Sequence, residues 1–296
     1  MSASALPAEQ IRRLLNQHAR SFALTLRFLP RELREPLGLA YLLARASDTV
    51  ADAVGISRKR RLKMLEELKD ALGSESFRWE LAFTEGELSE SELKLIAAVP
   101  TLLAMIEHHS DRVELLRLWQ TILKGQILDL VRFVPEAPPL VREELEEYCY
   151  LVAGSVGEAW TRLLANHAPR TLLRPHAEME KLGIGYGKGL QLLNILRDRV
   201  EDRAQGRVYL PEEAVLKMME QASEWLTQGE EYCLHLRPGR IRYASELPLR
   251  LAWRTLDLMR KSPESPRVKI LRWEVYAELL KTLPSLVLRS LRNPAS

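Results

Sequence analysis

Cysteine is scarce: two residues in 296, Cys149 and Cys233, are too few for a disulfide framework or for a zinc site of their own. A reducing, cytoplasmic setting is the matching expectation. Long apolar runs are missing as well. No segment approaches the ~20 consecutive apolar residues that span a bilayer, and Met1 to Arg13 has neither an apolar core nor a small-residue cleavage site. What is left for a membrane is surface contact. Tyr276 to Leu291 is apolar and basic enough to rest on a bilayer as an amphipathic helix, although a final packing helix is the preferred reading. An excess of one charge is also absent. The 43 basic and 40 acidic residues are interspersed for a net +3, with no basic arm, so nucleic acid is not an expected partner. No G-x-G-x-x-G opens a strand-to-helix turn, which excludes the dinucleotide fold built on it.

What the chain does have is 46% apolar residues, with Leu, Ala, Glu and Arg abundant and Val, Ile and Thr few. That balance favours helix over sheet along long windows and predicts an all-α fold with a sizeable core. There is no internal repeat or low-complexity tract. Short proline-bearing breaks fall at Pro30 to Pro36, Pro135 to Pro139, Pro169 to Pro175, Pro238 to Pro248 and Ser262 to Pro266. Between them, apolar residues recur at three- and four-residue steps. The pattern predicts helices over Pro36 to Val54, Arg58 to Leu72, Asp111 to Val134, Val141 to Asn166, Pro175 to Arg203, Glu220 to Leu236, Leu247 to Arg260 and Val268 to Thr282. One helical domain over 1–296 is the economical reading.

Two of these helices carry a polar stripe inside an apolar sequence. In GLAYLLARASDTVAD, Tyr41, Arg45, Asp48 and Asp52 sit at offsets 0, 4, 7 and 11, within about 40° of one direction at 100° per residue. In GLQLLNILRDRVED, Gln191, Asn194, Asp198 and Asp202 sit at 0, 3, 7 and 11, flanked by Leu190, Leu193, Ile195, Leu196 and Val200. Buried carboxylates need partners. If the stripes converge, their mutual repulsion calls for cations. Hard oxygen ligands suit Mg²⁺, which keeps several waters and is completed by phosphate oxygens, so the pattern points to a diphosphate site and not a closed metal cage. Either pair alone is more often an ordinary solvated helix face; the two together, each within a hydrogen-bonding stripe, are not.

Arginines cluster nearby: Arg20 upstream of the first stripe, Arg45 within it, and Arg197, Arg199, Arg203 and Arg207 around the second. A guanidinium matches phosphate oxygens as a bidentate fork, and spacing alone does not sort phosphate binders from those that pair with Glu201 or face water. His108 and His109 are adjacent, point to different helix faces and are assigned to the surface.

Four segments, in order, resemble the squalene/phytoene synthase family: RSF at Arg20 to Phe22, AYLLARASDTVAD at Ala40 to Asp52, YCYLVAGSVG at Tyr148 to Gly157, and LQLLNILRDRVEDRAQGRVYLP at Leu190 to Pro211. They span residues 20–211, about two-thirds of the chain. The resemblance implies a single all-α isoprenoid synthase domain whose helices surround a deep apolar central cavity, with both aspartate motifs at its mouth. It implies that Asp48, Asp52, Asp198 and Asp202 hold Mg²⁺ with help from Asn194 and Gln191. Arg20, Arg45, Arg197 and Arg207 would contact diphosphate. Tyr148 would stand near the reacting carbons, Phe22, Tyr41, Val152 and Val156 would line the prenyl cavity, and Ala153, Gly154 and Gly157 would keep the central helix slim. Read without the family, Tyr148 is an amphipathic core tyrosine, and the small residues let helices approach closely.

The family joins two prenyl diphosphates head to head. Farnesyl diphosphate as substrate and squalene as product, with NADPH as reductant, is the expectation. DTVAD is similar to squalene synthase motifs, whereas GRVYLP at Gly206 to Pro211 is similar to phytoene and bacterial hopanoid-pathway members and lacks the aromatic pair of eukaryotic squalene synthases. A C-terminal membrane anchor like theirs is not expected either. Presqualene diphosphate, dehydrosqualene or phytoene made without reductant therefore stay open. So do a non-catalytic helical prenyl-lipid binding protein and a metal-dependent diphosphate hydrolase.

Overall fold

The computed structural model describes residues 8–19, 25–53, 55–70, 83, 86–134 and 137–261. These residues form helices and, apart from an isolated bridge between Leu172 and Leu236, no β-structure, in agreement with the all-α expectation. Contacts group the chain into two compact units, Met1–Val134 and Pro135–Ser296.

In the first unit, α1 (Ala8–His18), α2 (Arg31–Asp52), α3 (Arg58–Asp70), α4 (Glu90–Ala97), α5 (Val99–Glu107) and α6 (Arg112–Arg132) follow one another. α2 is the centre. It buries Leu33, Leu37, Leu39, Leu42, Leu43, Ala46 and Val50, and Gly38 lets Leu15 of α1 lie close. Two hydroxyls of the aspartate motif are also buried, and each bonds back to its own helix: Ser47 Oγ donates to the Ala44 carbonyl at 3.0 Å and Thr49 Oγ1 to the Arg45 carbonyl at 2.9 Å. α3 supplies the C-terminal caps. Arg58 donates to the Leu130 and Val131 carbonyls at the end of α6, and Arg61 to the Ala51 carbonyl at the end of α2, where helix carbonyls lack partners.

The second unit holds α7 (Arg142–Cys149), a π-turn (Tyr150–Gly154), α8 (Ser155–His167), a 3₁₀ turn (Pro169–Thr171), α9 (His176–Ala204), a second 3₁₀ turn (Glu212–Ala214), α10 (Val215–Leu234) and α11 (Arg240–Lys261). The 29-residue α9 is its spine. Glycines on two of its sides bring neighbours to backbone distance: Gly183 and Gly187 meet α8 and the π-turn, while Gly185 and Gly189 meet Gln228 and Trp225 of α10. Each such glycine costs about 1 kcal/mol of helix propensity, offset here by close packing of long helices. Tyr186 and Tyr232 are buried with their hydroxyls satisfied by the Ser245 carbonyl at 2.9 Å and by Thr161 Oγ1 at 3.0 Å.

Several expectations need correction. α2 and α11 begin well before Pro36 and Pro248 and run through them, so those prolines are not breaks. α1, α4 and α5 were not predicted. Val141 to Asn166 is not one α-helix but two, joined by the π-turn. Val200, expected to help sink α9 into the core, is 43% exposed. His108 is exposed as expected, whereas His109 is half-buried and accepts the Asp111 amide at 3.1 Å. Both cysteines are unpaired and buried, and burial pushes each thiol up to about 12, which makes them packing residues. No described helix is long and apolar enough to cross a membrane. The predicted helix at Val268 to Thr282 and the segment Tyr276 to Leu291 lie outside the described residues.

Candidate active site

The first stripe forms as its spacing predicts. Tyr41, Arg45 and Asp48 are partly buried along α2, and Asp52 at its end is exposed. The Tyr41 hydroxyl donates to the His18 carbonyl at 2.8 Å, tying α1 to the stripe. Arg45 Nη1 donates to Asp48 Oδ2 within the same face. Even with that guanidinium, the Asp48 carboxyl is raised from its ordinary range to about 6. The cause is first desolvation by the packed helices, then the charges of Asp52 and of Asp129 on α6. Two-fifths of the Asp48 side chain stays open to solvent, so the group is both destabilised as an anion and reachable. Asp129 is a residue that the sequence reading missed. Its signal was a polar pair three apart, Gln126 and Asp129, in the stretch QILDLV of α6; Gln126 donates to the Ala44 carbonyl of α2 at 3.3 Å.

The second stripe lies on α9 with Gln191, Asn194, Asp198 and Asp202 all partly buried. Both its carboxylates are held by arginines. Arg197 Nε donates to Asp198 Oδ1 at 2.8 Å and a second guanidinium nitrogen to Oδ2 at 2.5 Å, a fork-like pair whose hydrogen bonds raise the Arg197 pKa further. Arg207 approaches Asp202 Oδ1 at 2.9 Å from the loop after α9, where Gly206 turns the chain at φ +80°. Thus Arg197 and Arg207 sit beside the carboxylates as the sequence reading expects. Arg199 and Arg203 pair with Glu212, at 3.4 and 3.1 Å. With Arg207, they border a small, partly open hollow lined by Ile195, Val208, Tyr209 and Leu210.

Tyr148, at the end of α7, is 7% exposed and its hydroxyl lies 3.2 Å from that of Tyr209, with the rings 5.2 Å apart. Tyr209 belongs to the GRVYLP tail, and its carbonyl accepts the Leu140 amide at 3.1 Å. So the loop that carries Arg207 also delivers a second phenol to Tyr148. Val152 is half-buried and Val156 is 37% exposed. Arg20 and Phe22 lie outside the described residues.

Comparison with known proteins then places the chain. The family model described as squalene/phytoene synthase matches residues 15–217, which includes both aspartate stripes, Tyr148 and the Arg207 loop. The chain belongs to the squalene/phytoene synthase family. It is 28% identical over 223 residues to squalene synthase of Bos taurus, covering 71% of this chain and 48% of that protein. The chain spans about half the length of the curated relatives it matches. Among solved structures, TcSQS in complex with the ligand BPH1237 superposes with a TM-score of 0.74 at 22% identity, covering 91% of this chain and 84% of that one. A dehydrosqualene synthase in complex with a ligand gives 0.63 at 21% identity, covering 95% and 96%. The fold is that of the all-α isoprenoid synthases.

Within this family member, the aspartates suit a hard divalent cation. They present paired carboxylates, and burial and the neighbouring carboxylates disfavour the Asp48 anion, a condition that a bound cation relieves. Among the described residues no three His, Cys, Asp or Glu side chains converge to form a complete cage. One or two carboxylates completed by water and phosphate oxygens is what Mg²⁺ accepts.

Proposed function

We propose that the chain is a head-to-head prenyltransferase that condenses two farnesyl diphosphates through presqualene diphosphate to squalene, with Mg²⁺ and NADPH, and that residues 1–296 act as one synthase domain. The observation that carries this reading is that Asp48, Asp198 and Asp202 each have an arginine partner on the same helix or the loop beside it. A diphosphate with its metal brings both charges that such a pair can exchange for: cation to carboxylate, anion to guanidinium.

Each group then has a task. Asp48, Asp52, Asp198 and Asp202, with Gln191 and Asn194, would hold Mg²⁺, which when bound stabilises negative charge on the departing diphosphate. Arg45, Arg197 and Arg207, with Arg20, would take the diphosphate oxygens. Loss of diphosphate from the donor leaves an allylic cation; the acceptor double bond attacks it, and loss of a proton closes the cyclopropane. Tyr148, with its hydroxyl oriented by Tyr209, would stand by the reacting carbons, and Phe22, Tyr41, Val152 and Val156 would keep water from the prenyl chains. The described residues contain no strand-to-helix glycine turn, so a dinucleotide fold of that kind is not what would hold NADPH. A cytoplasmic protein that touches membranes peripherally fits this reading, because squalene partitions into lipid.

The test is incubation of the purified protein with farnesyl or geranylgeranyl diphosphate and Mg²⁺, with and without NADPH, followed by identification of the hydrocarbon. Farnesyl diphosphate should give squalene with NADPH and presqualene diphosphate without it. Phytoene from geranylgeranyl diphosphate would replace the proposed substrate and product. Free prenyl alcohol would favour a hydrolase, and no turnover would remove the enzyme reading. In the same assay Tyr148→Phe should lower kcat by about 10- to 100-fold with KM within about twofold, since the hydroxyl acts after binding. A raised KM with kcat unchanged would place Tyr148 in substrate binding instead.

A further inference from the structure

The π-turn between α7 and α8 is closed by the Ser155 amide, which reaches the Tyr150 carbonyl five residues back. Such wide turns are rare and occur mainly as single insertions in α-helices. In an α-helix four residues overshoot a full turn by about 40°, so side chains at i, i+4 and i+8 fan across the surface. A wider turn removes that overshoot. The rows it would straighten are Tyr148, Val152 and Val156; Cys149, Ala153 and Gly157; and Tyr150, Gly154 and Glu158.

The second and third rows can be checked against contacts. The second lies on α9, where a Cβ on Gly187 would come within 2.2 Å of the Ala153 carbonyl oxygen and one on Gly157 within 1.9 Å of that of Gly183. In the third, the Tyr150 hydroxyl donates to Glu158 Oε2 at 2.7 Å, eight residues along the chain. Its ring passes over Gly154, where an added Cβ would sit 3.1 Å from Tyr150 Cδ2. Glu158 is itself anchored: it is 7% exposed, and Arg162 donates both to it and to Glu180 Oε1 of α9, the latter at 2.9 Å. A buried carboxylate held by a guanidinium and a phenol is a fixed point.

We infer that Tyr150 and Glu158 clamp the π-turn, and that the clamp keeps Tyr148, Val152 and Val156 in one row facing the prenyl chains. Both are positioning residues. The catalytic half of this inference rests on the function proposed above.

Tyr150→Phe tests it, because it removes the hydroxyl, keeps the ring over Gly154 and leaves the Glu158–Arg162 pair intact. Glu158→Gln keeps an acceptor of the same size and serves as the conservative variant. Two readouts are taken, hydrogen exchange of the Ser155 amide and steady-state kinetics with farnesyl diphosphate. For Tyr150→Phe, exchange at Ser155 should rise by about tenfold, and kcat should fall by about tenfold with KM within about twofold. Glu158→Gln should stay within about threefold of the parent in both. Unchanged exchange in Tyr150→Phe overturns the clamp. Faster exchange with parental kcat overturns its role in aiming Tyr148. A fall in kcat with unchanged exchange assigns Tyr150 a direct part and overturns positioning. A parent protein that turns over no prenyl diphosphate overturns the proposed function and the aiming with it, while exchange at Ser155 still decides the clamp.

Discussion

Replacing Asp48 by Asn is expected to cut turnover of farnesyl diphosphate by roughly a thousandfold, a loss of about 4 kcal/mol in transition-state stabilisation, without unfolding the protein. The substitution removes one charge from the proposed metal-binding face at constant volume, and the amide oxygen still accepts from Arg45. Its second consequence is a change in how stability depends on pH. The Asp48 carboxyl is raised from 3.8 to about 6 by desolvation and by Asp52 and Asp129. Between those values the native state holds a proton that the unfolded chain has released. The contribution of this group therefore favours folding at low pH, declines as pH rises through the window from about 4 to about 6, and is gone above it. Asn cannot titrate, so the variant should lose this downward slope and gain stability relative to the parent at pH 7 compared with pH 4. Urea unfolding at both pH values, with kinetics at pH 7, reads both effects. Full activity would show that Asp48 holds no metal, and parallel pH profiles would show that its carboxyl is not raised. Asp198→Asn should lose activity similarly.

The aspartate stripes were legible because helical spacing and an apolar background are local properties. Asp48 and Asp52, or Asp198 and Asp202, are four apart, and α2 and α9 form where the apolar period places them. Tyr148 and Tyr209 are 61 residues apart, and no local pattern encodes their contact. The π-turn escapes for a related reason: YLVAG continues the apolar period of its neighbours, and what distinguishes it from α-helix is the Ser155 amide reaching back five residues to the Tyr150 carbonyl, which no local pattern of residue types marks. α4, in contrast, carries a local signal. Ser89 and Glu92 form a reciprocal capping box, with the Ser89 amide donating to Glu92 Oε2 at 2.8 Å, and the motif S-x-x-E stands in the sequence. The prolines misled in the opposite direction. Pro36 removes only the bond to Glu32 in the first turns of α2, and the buried residues around it, Leu33, Leu37 and Leu39, outweigh the loss. Leu247 and Leu249 do the same beside Pro248 in α11.

The small residues of YCYLVAGSVG had two compatible readings, a slim wall for a cavity and a seat for another helix, and Gly157→Ala tests the second. An added Cβ there would meet the Gly183 carbonyl oxygen at 1.9 Å and its carbon at 2.6 Å. Neither neighbour is a side chain that can swing away; both are backbone in the middle of α9. To reach ordinary contact at 3.4 Å, α8 and α9 must part by about 1.5 Å. Helix propensity pulls the other way, since Ala is favoured over Gly by about 1 kcal/mol, but overpacking against backbone costs about 3 kcal/mol or more. The expected result is a net loss of at least about 2 kcal/mol in urea unfolding. Gly206→Ala is the control. No atom lies within 4 Å of its added Cβ, and only its φ of +80° opposes the substitution, so it should lose about 1 kcal/mol. A Gly157→Ala protein as stable as the parent would mean that α8 and α9 do not cross at Gly157 and Gly183. If the helices do part, the displacement enters α9 and runs toward its C-terminal half, which carries Asn194, Asp198 and Asp202. The variant should therefore lose turnover even at temperatures where it remains folded, which connects the close backbone contact at Gly157 to the carboxylates proposed to hold the metal.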